Sequence, residues 1–177
     1  MFIPVLLGTA RNGNYSTKAA NFICSQIKRL GHTTELVSPG DHITNPLTER
    51  VGKEKKGGEK YRELITKADA IVIVTPEYNR GFPGELKLML DQLYEEYRHK
   101  FVAVCGVSSG GIGGARAVEL LFPVLIGVEM FPIKKVVYFS NVEDLFGQNG
   151  EIKDDSYIEK VETMIDYLVD VASKNSK

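Results

Sequence analysis

Neither sign of charge dominates this sequence: 22 lysines and arginines stand against 23 aspartates and glutamates, a formal charge of -1. No global field therefore argues for nucleic acid or an anionic membrane as partner. Nowhere does an apolar run approach the roughly 18 residues of a membrane span. The N-terminus lacks the charged start, apolar stretch and cleavage pattern of a signal peptide, so a cytoplasmic location is expected. Cysteine is scarce, and Cys24 in a helical pattern lies far from Cys105 in an apolar strand. That usage fits buried thiols in a reducing compartment better than a disulfide or a metal site. His32, His42 and His99 stand at loop or helix-end positions, no motif pairs them with a serine or cysteine nucleophile, and all three are expected to be solvated.

Two common nucleotide motifs are also missing. Gly8 and Gly13 have the glycine separation of a Walker loop, but Asn14 and Tyr15 stand where its lysine and hydroxyl belong, which argues against a nucleoside triphosphatase. The dinucleotide fingerprint fails after the same strand, because Ala10 occupies the place of its second glycine.

The composition itself, 43% hydrophobic and 25% charged over 177 residues, is that of one ordinary globular domain spanning 1–177. Its organising stretch runs from Ala68 to Lys87. Ala70 to Val74 form an unbroken apolar, β-branched run, the signature of a strand buried on both faces of a parallel sheet. The loop Pro76-Glu77-Tyr78-Asn79-Arg80-Gly81-Phe82-Pro83-Gly84 follows, and then a helix from Glu85 to about Tyr97. A loop between a parallel strand's carboxyl end and a helix is where open α/β sheets bind ligands.

The same order recurs along the chain. Phe2–Leu7 reads as a first strand, with Pro4 tolerated near its start. After it, Gly8 to Ser16 lead into a helix through about Leu30 closed by Gly31. This turn is either an anion cradle, built from first-turn amides, the Thr9 and Ser16 hydroxyls and the Arg11 guanidinium, or a solvated loop capped by Ser16. Thr33–Val37 is a shorter strand nearer a sheet edge. The segment from Ser38 to Gly58 has no periodicity and reads as a flap or an insert, its Lys53–Lys56 cluster as a solvated face. Glu59–Ala68 is helical. Phe101–Val107 is a fourth strand ending in Ser108-Ser109-Gly110-Gly111-Ile112-Gly113-Gly114, either a platform that lets backbone approach a flat ligand or a flexible link. A helix over Ala115–Val128 should kink or restart at Pro123. Phe131–Phe139 is the last strand, the loop Asp144–Asp155 follows it, and a helix lined by Ile158, Val161, Ile165, Leu168 and Ala172 ends the chain.

Five strands alternating with five helices imply a three-layer α/β sandwich with a parallel sheet in the flavodoxin-like order 2-1-3-4-5. In that order the turns after strands one, three and four open together, and their combined chemistry suits a phosphorylated planar heterocycle.

These residues resemble the NADPH-dependent FMN reductase family, which includes quinone, azo-dye and chromate reductases. The resemblance rests on Gly8-Thr9-Ala10-Arg11 with Ser16, on Pro76-Glu77-Tyr78-Asn79 continuing through Pro83-Gly84 to Leu86-Lys87 and Asp91, and on Ser109-Gly110-Gly111 with Gly113-Gly114-Ala115-Arg116. By that resemblance, Thr9, Arg11 and Ser16 would hold the FMN phosphate. Pro76, Glu77, Tyr78 and Asn79 would border the isoalloxazine, and Ser109, Gly110 and Gly111 would lie near its pyrimidine side. The resemblance also implies NADPH as donor, ping-pong transfer to a quinone-like or other small acceptor, and a homodimer or homotetramer. No catalytic acid or base is expected: Glu77 is as suited to an ion pair or subunit contact as to proton transfer. Tyr94 and Tyr97 would serve an interface or the core. Arg80, where many relatives carry a small or imidazole residue, would assist the dinucleotide phosphates or be solvated. A flavodoxin-type electron carrier and a non-catalytic regulatory protein share the same fold.

Overall fold

The computed structural model describes residues 1–43 and 58–174. Most of the aperiodic connection read between Ser38 and Gly58, with its lysine cluster, therefore lies outside the described residues.

The most apolar segment makes the central strand. Ala70–Pro76 (β3) is buried along its whole length, with Ala70, Val72 and Val74 facing one core and Ile71 and Ile73 the other. Alternation of this kind needs cover on both faces. On one face lie the helices Ser16–Arg29 (α1) and Ser156–Lys174 (α7), meeting Val5, Leu7, Ala103 and Cys105. On the other lie Glu59–Lys67 (α3), Gly84–Leu90 (α4) and Ala115–Gly127 (α5), meeting Leu6, Val102 and Val104. Burying each large aliphatic side chain contributes about 1.5–3 kcal/mol, so the central strands anchor the domain.

The remaining strands are Val5–Leu7 (β1), Leu36–Val37 (β2), Phe101–Val107 (β4), Phe131–Pro132 (β5) and Val137–Phe139 (β6). Among the described residues the pairings between these strands are parallel, in the order β2-β1-β3-β4-β5, with β6 also on β4. The expected sheet order is therefore the observed one. Its last strand is broken in two: β5 pairs with the start of β4 and β6 with its end, leaving Ile133 to Val136 outside regular pairing. The first strand is shorter than Phe2–Leu7, because Pro4 has no N–H to donate and Phe2 keeps only an isolated bridge to Thr33.

Other differences have equally local causes. The helix expected from Glu85 to Tyr97 ends at Leu90, and a 3-10 turn over Glu95–Tyr97 follows Tyr94, whose φ of -144° and ψ of -61° leave helical geometry. The break leaves Tyr94 48% exposed while Tyr97 is wholly buried. There the two phenols of Tyr97 and Tyr61 share a hydrogen bond of 2.6 Å. Tyr97 is thus a core residue and not an interface one. The helix α5 runs through Pro123 without restarting. Two short helices are new, Pro39–His42 (α2) and Val142–Leu145 (α6). In α2, His42 is buried against the Tyr61 ring at 5.8 Å, contrary to its expected solvation. Burial disfavours its imidazolium, Lys60 adds to the effect, and its pKa lies below the usual range. Cys24 and Cys105 are both buried and unbridged, as expected.

Candidate functional site

Three strands deliver their carboxyl ends to one side of the molecule, and a cleft of about 290 Å³ opens there. Each wall comes from a different turn.

The first wall follows β1. Arg11, Gly13, Asn14, Tyr15 and Ser16 line it. Gly13 takes a φ of +69°, which lets the chain reverse into α1 without Cβ strain. The cap of this helix is not Ser16, which is already its first residue. Asn14 supplies it: its Oδ1 accepts from the Thr17 amide at 2.8 Å and the Thr17 hydroxyl at 3.0 Å. Asn14→Ala should therefore destabilise the protein by about 1 kcal/mol in urea unfolding. The amides of Gly13, Tyr15 and Ser16 donate to no other described residue. Arg11 is exposed, makes no ion pair among the described residues, and lies with its guanidinium 4.0 Å from the centre of the Tyr78 ring. A cation, free amides at a helix N-terminus and a hydroxyl on one wall form a site for an anion.

The second wall follows β3 and is made by Pro76, Glu77 and Tyr78. Its loop is a tight hairpin in which Tyr78 and Gly81 exchange backbone hydrogen bonds of 2.8 and 3.0 Å. Asn79 and Arg80, at its tip, both have positive φ, +49° and +70°, and both are exposed. That pair of angles is the hairpin turn usually given to Asn-Gly. Glu77 does form an ion pair: Arg116 Nη1 donates to its Oε1 at 3.0 Å, with the Glu77 side chain 11% exposed. Its second oxygen, Oε2, is buried and has no hydrogen-bond partner among the described residues. An orphan carboxylate oxygen at a cleft wall is an acceptor for a ligand N–H or O–H.

The third wall follows β4, with Val107, Ser108 and Ser109. Val142 and Glu143 from α6 close it, and Ser109 Oγ donates to Glu143 Oε1 at 2.8 Å. The glycine run behind these residues divides in two. Gly110 and Gly111 are exposed, with no atom of the described residues within 4 Å of a Cβ built on Gly111. Gly113 and Gly114 are buried and approach protein, not open space: a Cβ would lie 2.6 Å from Tyr138 Cβ and 2.7 Å from Val107 N respectively.

Of the residues singled out in the sequence, Arg11, Ser16, Pro76, Glu77, Tyr78 and Ser109 therefore line one cleft. Asn79, Gly110 and Gly111 lie in its bordering turns without lining it. Thr9 is wholly buried behind the first wall. Asn14, Tyr15, Ser108 and Glu143 are additions. Glu143 was within reach of the topology argument, because Ser140 to Glu143 follow the last strand and must emerge at the same sheet edge.

Comparison with known proteins accords with this geometry. The family model for NADPH-dependent FMN reductase matches residues 1–144. The chain is similar to an NADPH azoreductase of Bacillus sp. (strain OY1-2), 31% identical over 157 residues, covering 88% of this chain and 84% of that one. It is also similar to a quinone reductase of Pseudomonas putida, 28% identical over 159 residues, covering 86% and 84%. Among solved structures it matches FerB, a flavoenzyme NAD(P)H:(acceptor) oxidoreductase from Paracoccus denitrificans, with a TM-score of 0.82 at 23% identity, covering 98% and 97% of the two chains.

Proposed function

Because this chain belongs to the NADPH-dependent FMN reductase family, we propose that it binds FMN in the cleft and passes two electrons from NADPH to quinone-like or other small acceptors by a ping-pong sequence. The observation that carries this reading is the division of labour between the walls: an anion site at Arg11 and Ser16, and a buried acceptor at Glu77 Oε2 without a partner among the described residues. FMN has a phosphate at one end and a planar ring bearing an N–H at the other. The residues present fit both.

In this reading Arg11, Ser16 and the first-turn amides of α1 hold the phosphate. Pro76, Glu77, Tyr78 and Asn79 border the ring on one side, and Ser109, Gly110 and Gly111 on another. When bound, FMN supplies the redox chemistry, accepting a hydride from the nicotinamide and yielding two electrons to the acceptor that replaces it. The chain's own task is to orient the ring and leave one face open. Arg116 pairs with Glu77 Oε1 and leaves Oε2 to accept from the ring, so Glu77 is assigned no proton transfer. A single domain over 1–177, a homodimer or homotetramer and a cytoplasmic location belong to the same reading. Leu120 and Ile126 on α5, 54% and 63% exposed, support a subunit contact, and the reduced buried cysteines support the location.

The test is the visible absorption spectrum of the purified protein before and after anaerobic addition of NADPH, followed by a quinone. A flavin spectrum that bleaches with NADPH and returns with the quinone is expected. A flavin spectrum untouched by NADPH would point to an electron carrier, and a protein that stays colourless with added FMN would overturn the assignment of the cleft.

A further inference from the structure

The buried hydroxyl of Thr9 is fully engaged inside the protein. A threonine hydroxyl has one proton and two lone pairs. Thr9 Oγ1 donates to Glu85 Oε1 at 3.0 Å and accepts from the Arg11 amide at 3.2 Å. Its remaining contact, 3.0 Å to the Tyr78 hydroxyl, must then be one in which Tyr78 donates. The carboxylate, which only accepts, sets the direction of every proton in this chain of groups. It also takes the Ala10 amide at 3.3 Å. One side chain from the first turn of α4 thus pins two consecutive residues of the β1–α1 turn.

The consequence reaches the cleft through Tyr78. With its hydroxyl tied back to Thr9, the phenol presents its ring, and the Arg11 guanidinium lies 4.0 Å from the centre of that ring. We propose that Glu85 is a positioning residue for the cofactor-phosphate end of the cleft, setting Arg11 through Thr9 and Tyr78; this rests on the flavin reading above. Thr9 itself then serves as the link in that chain and not as a ligand of the phosphate. A glutamine at this position keeps an Oε1 acceptor for Thr9 and Ala10 and removes the charge. Alanine removes both.

The test compares wild type, Glu85→Gln and Glu85→Ala by titration with FMN and with riboflavin, and by hydrogen exchange at the Ala10 and Arg11 amides in flavin-free protein. Glu85→Ala is expected to weaken FMN by about tenfold, the loss typical of one charge-assisted hydrogen bond, while riboflavin affinity stays close to wild type. The two amides should exchange faster in Glu85→Ala, and Glu85→Gln should restore both properties. Thr9→Val cuts the same link by another route and should give the same selective loss of FMN, which keeps the test available should Glu85→Ala fail to fold. An FMN-to-riboflavin affinity ratio unchanged in these variants would overturn the proposal. So would a Glu85→Gln protein that binds FMN more tightly than wild type, since Glu85 would then act through its charge. A wild type that binds neither flavin, with accelerated exchange still seen in Glu85→Ala, would overturn the flavin reading itself and leave Glu85 a fold contact.

Discussion

Arg11→Ala is expected to weaken FMN binding by about 10- to 100-fold, the range for losing a charge-assisted hydrogen bond to a phosphate, while leaving riboflavin affinity and unfolding stability close to wild type. The asymmetry follows from where Arg11 sits. Its side chain is exposed, has no carboxylate partner among the described residues, and touches the fold through the face of Tyr78. Removing it forfeits an exposed cation–π contact of about 0.5–1 kcal/mol, a modest change to folding. At the cleft the same deletion removes the cation of a wall whose other anion-binding groups are the Ser16 hydroxyl and backbone amides. Lysine should restore part of the affinity, since it returns the charge without the planar fork. Fluorescence titration with both flavins reads the difference directly. Equal losses for FMN and riboflavin would place Arg11 at the ring, and no loss for either would remove it from the site.

Why Arg11 can be proposed from the sequence, and Glu85 only from the structure, has a physical basis. The buried strands announce themselves, because β3 and β4 are covered on both faces and must be apolar throughout. Once their order is known, the turns at their carboxyl ends share an edge, and Arg11, Ser16, Glu77, Tyr78 and Ser109 fall together. Local cues are incomplete where another contact, near or far in sequence, bears on the same group. Ser16 looks like a helix cap, yet Asn14 does the capping from two residues earlier. His42 sits in an aperiodic polar segment, yet the Tyr61 ring gives it a buried seat. Thr9 reads as a phosphate ligand by its place after β1, and the contact behind its proposed role as a link comes from a carboxylate 76 residues away. No periodicity reports such a pairing. The glycine run misleads for a related reason: glycine signals close approach of backbone to something, and sequence does not say to what.

That ambiguity is resolved by a pair of alanine substitutions with opposite expected outcomes. Gly114→Ala should destabilise the fold by roughly 2–5 kcal/mol, from about 1–2 kcal/mol for an L-residue forced into left-handed backbone and about 1–3 kcal/mol for overpacking. Both contributions are present at this one residue. Gly114 has a φ of +81° and stands immediately before α5, and its Cβ would lie 2.7 Å from the backbone nitrogen of Val107 and 3.0 Å from its carbonyl oxygen. Backbone of a central strand cannot swing aside as the end of a flexible side chain can, so relief requires shifting α5 or β4. Gly111 lies three residues away, its φ outside the left-handed region and no described residue within 4 Å of an added Cβ, and Gly111→Ala should change unfolding free energy by no more than about 0.5 kcal/mol. Urea unfolding midpoints of the two variants make the comparison. If the bound ring lies against Ser109 to Gly111 as proposed, Gly111→Ala should weaken flavin binding in a protein that remains as stable as wild type. Loss of flavin binding in Gly114→Ala, by contrast, should follow its loss of folded protein. A stable Gly114→Ala variant would mean that α5 does not begin as close to β4 as described, and the third wall of the cleft would have to be redrawn.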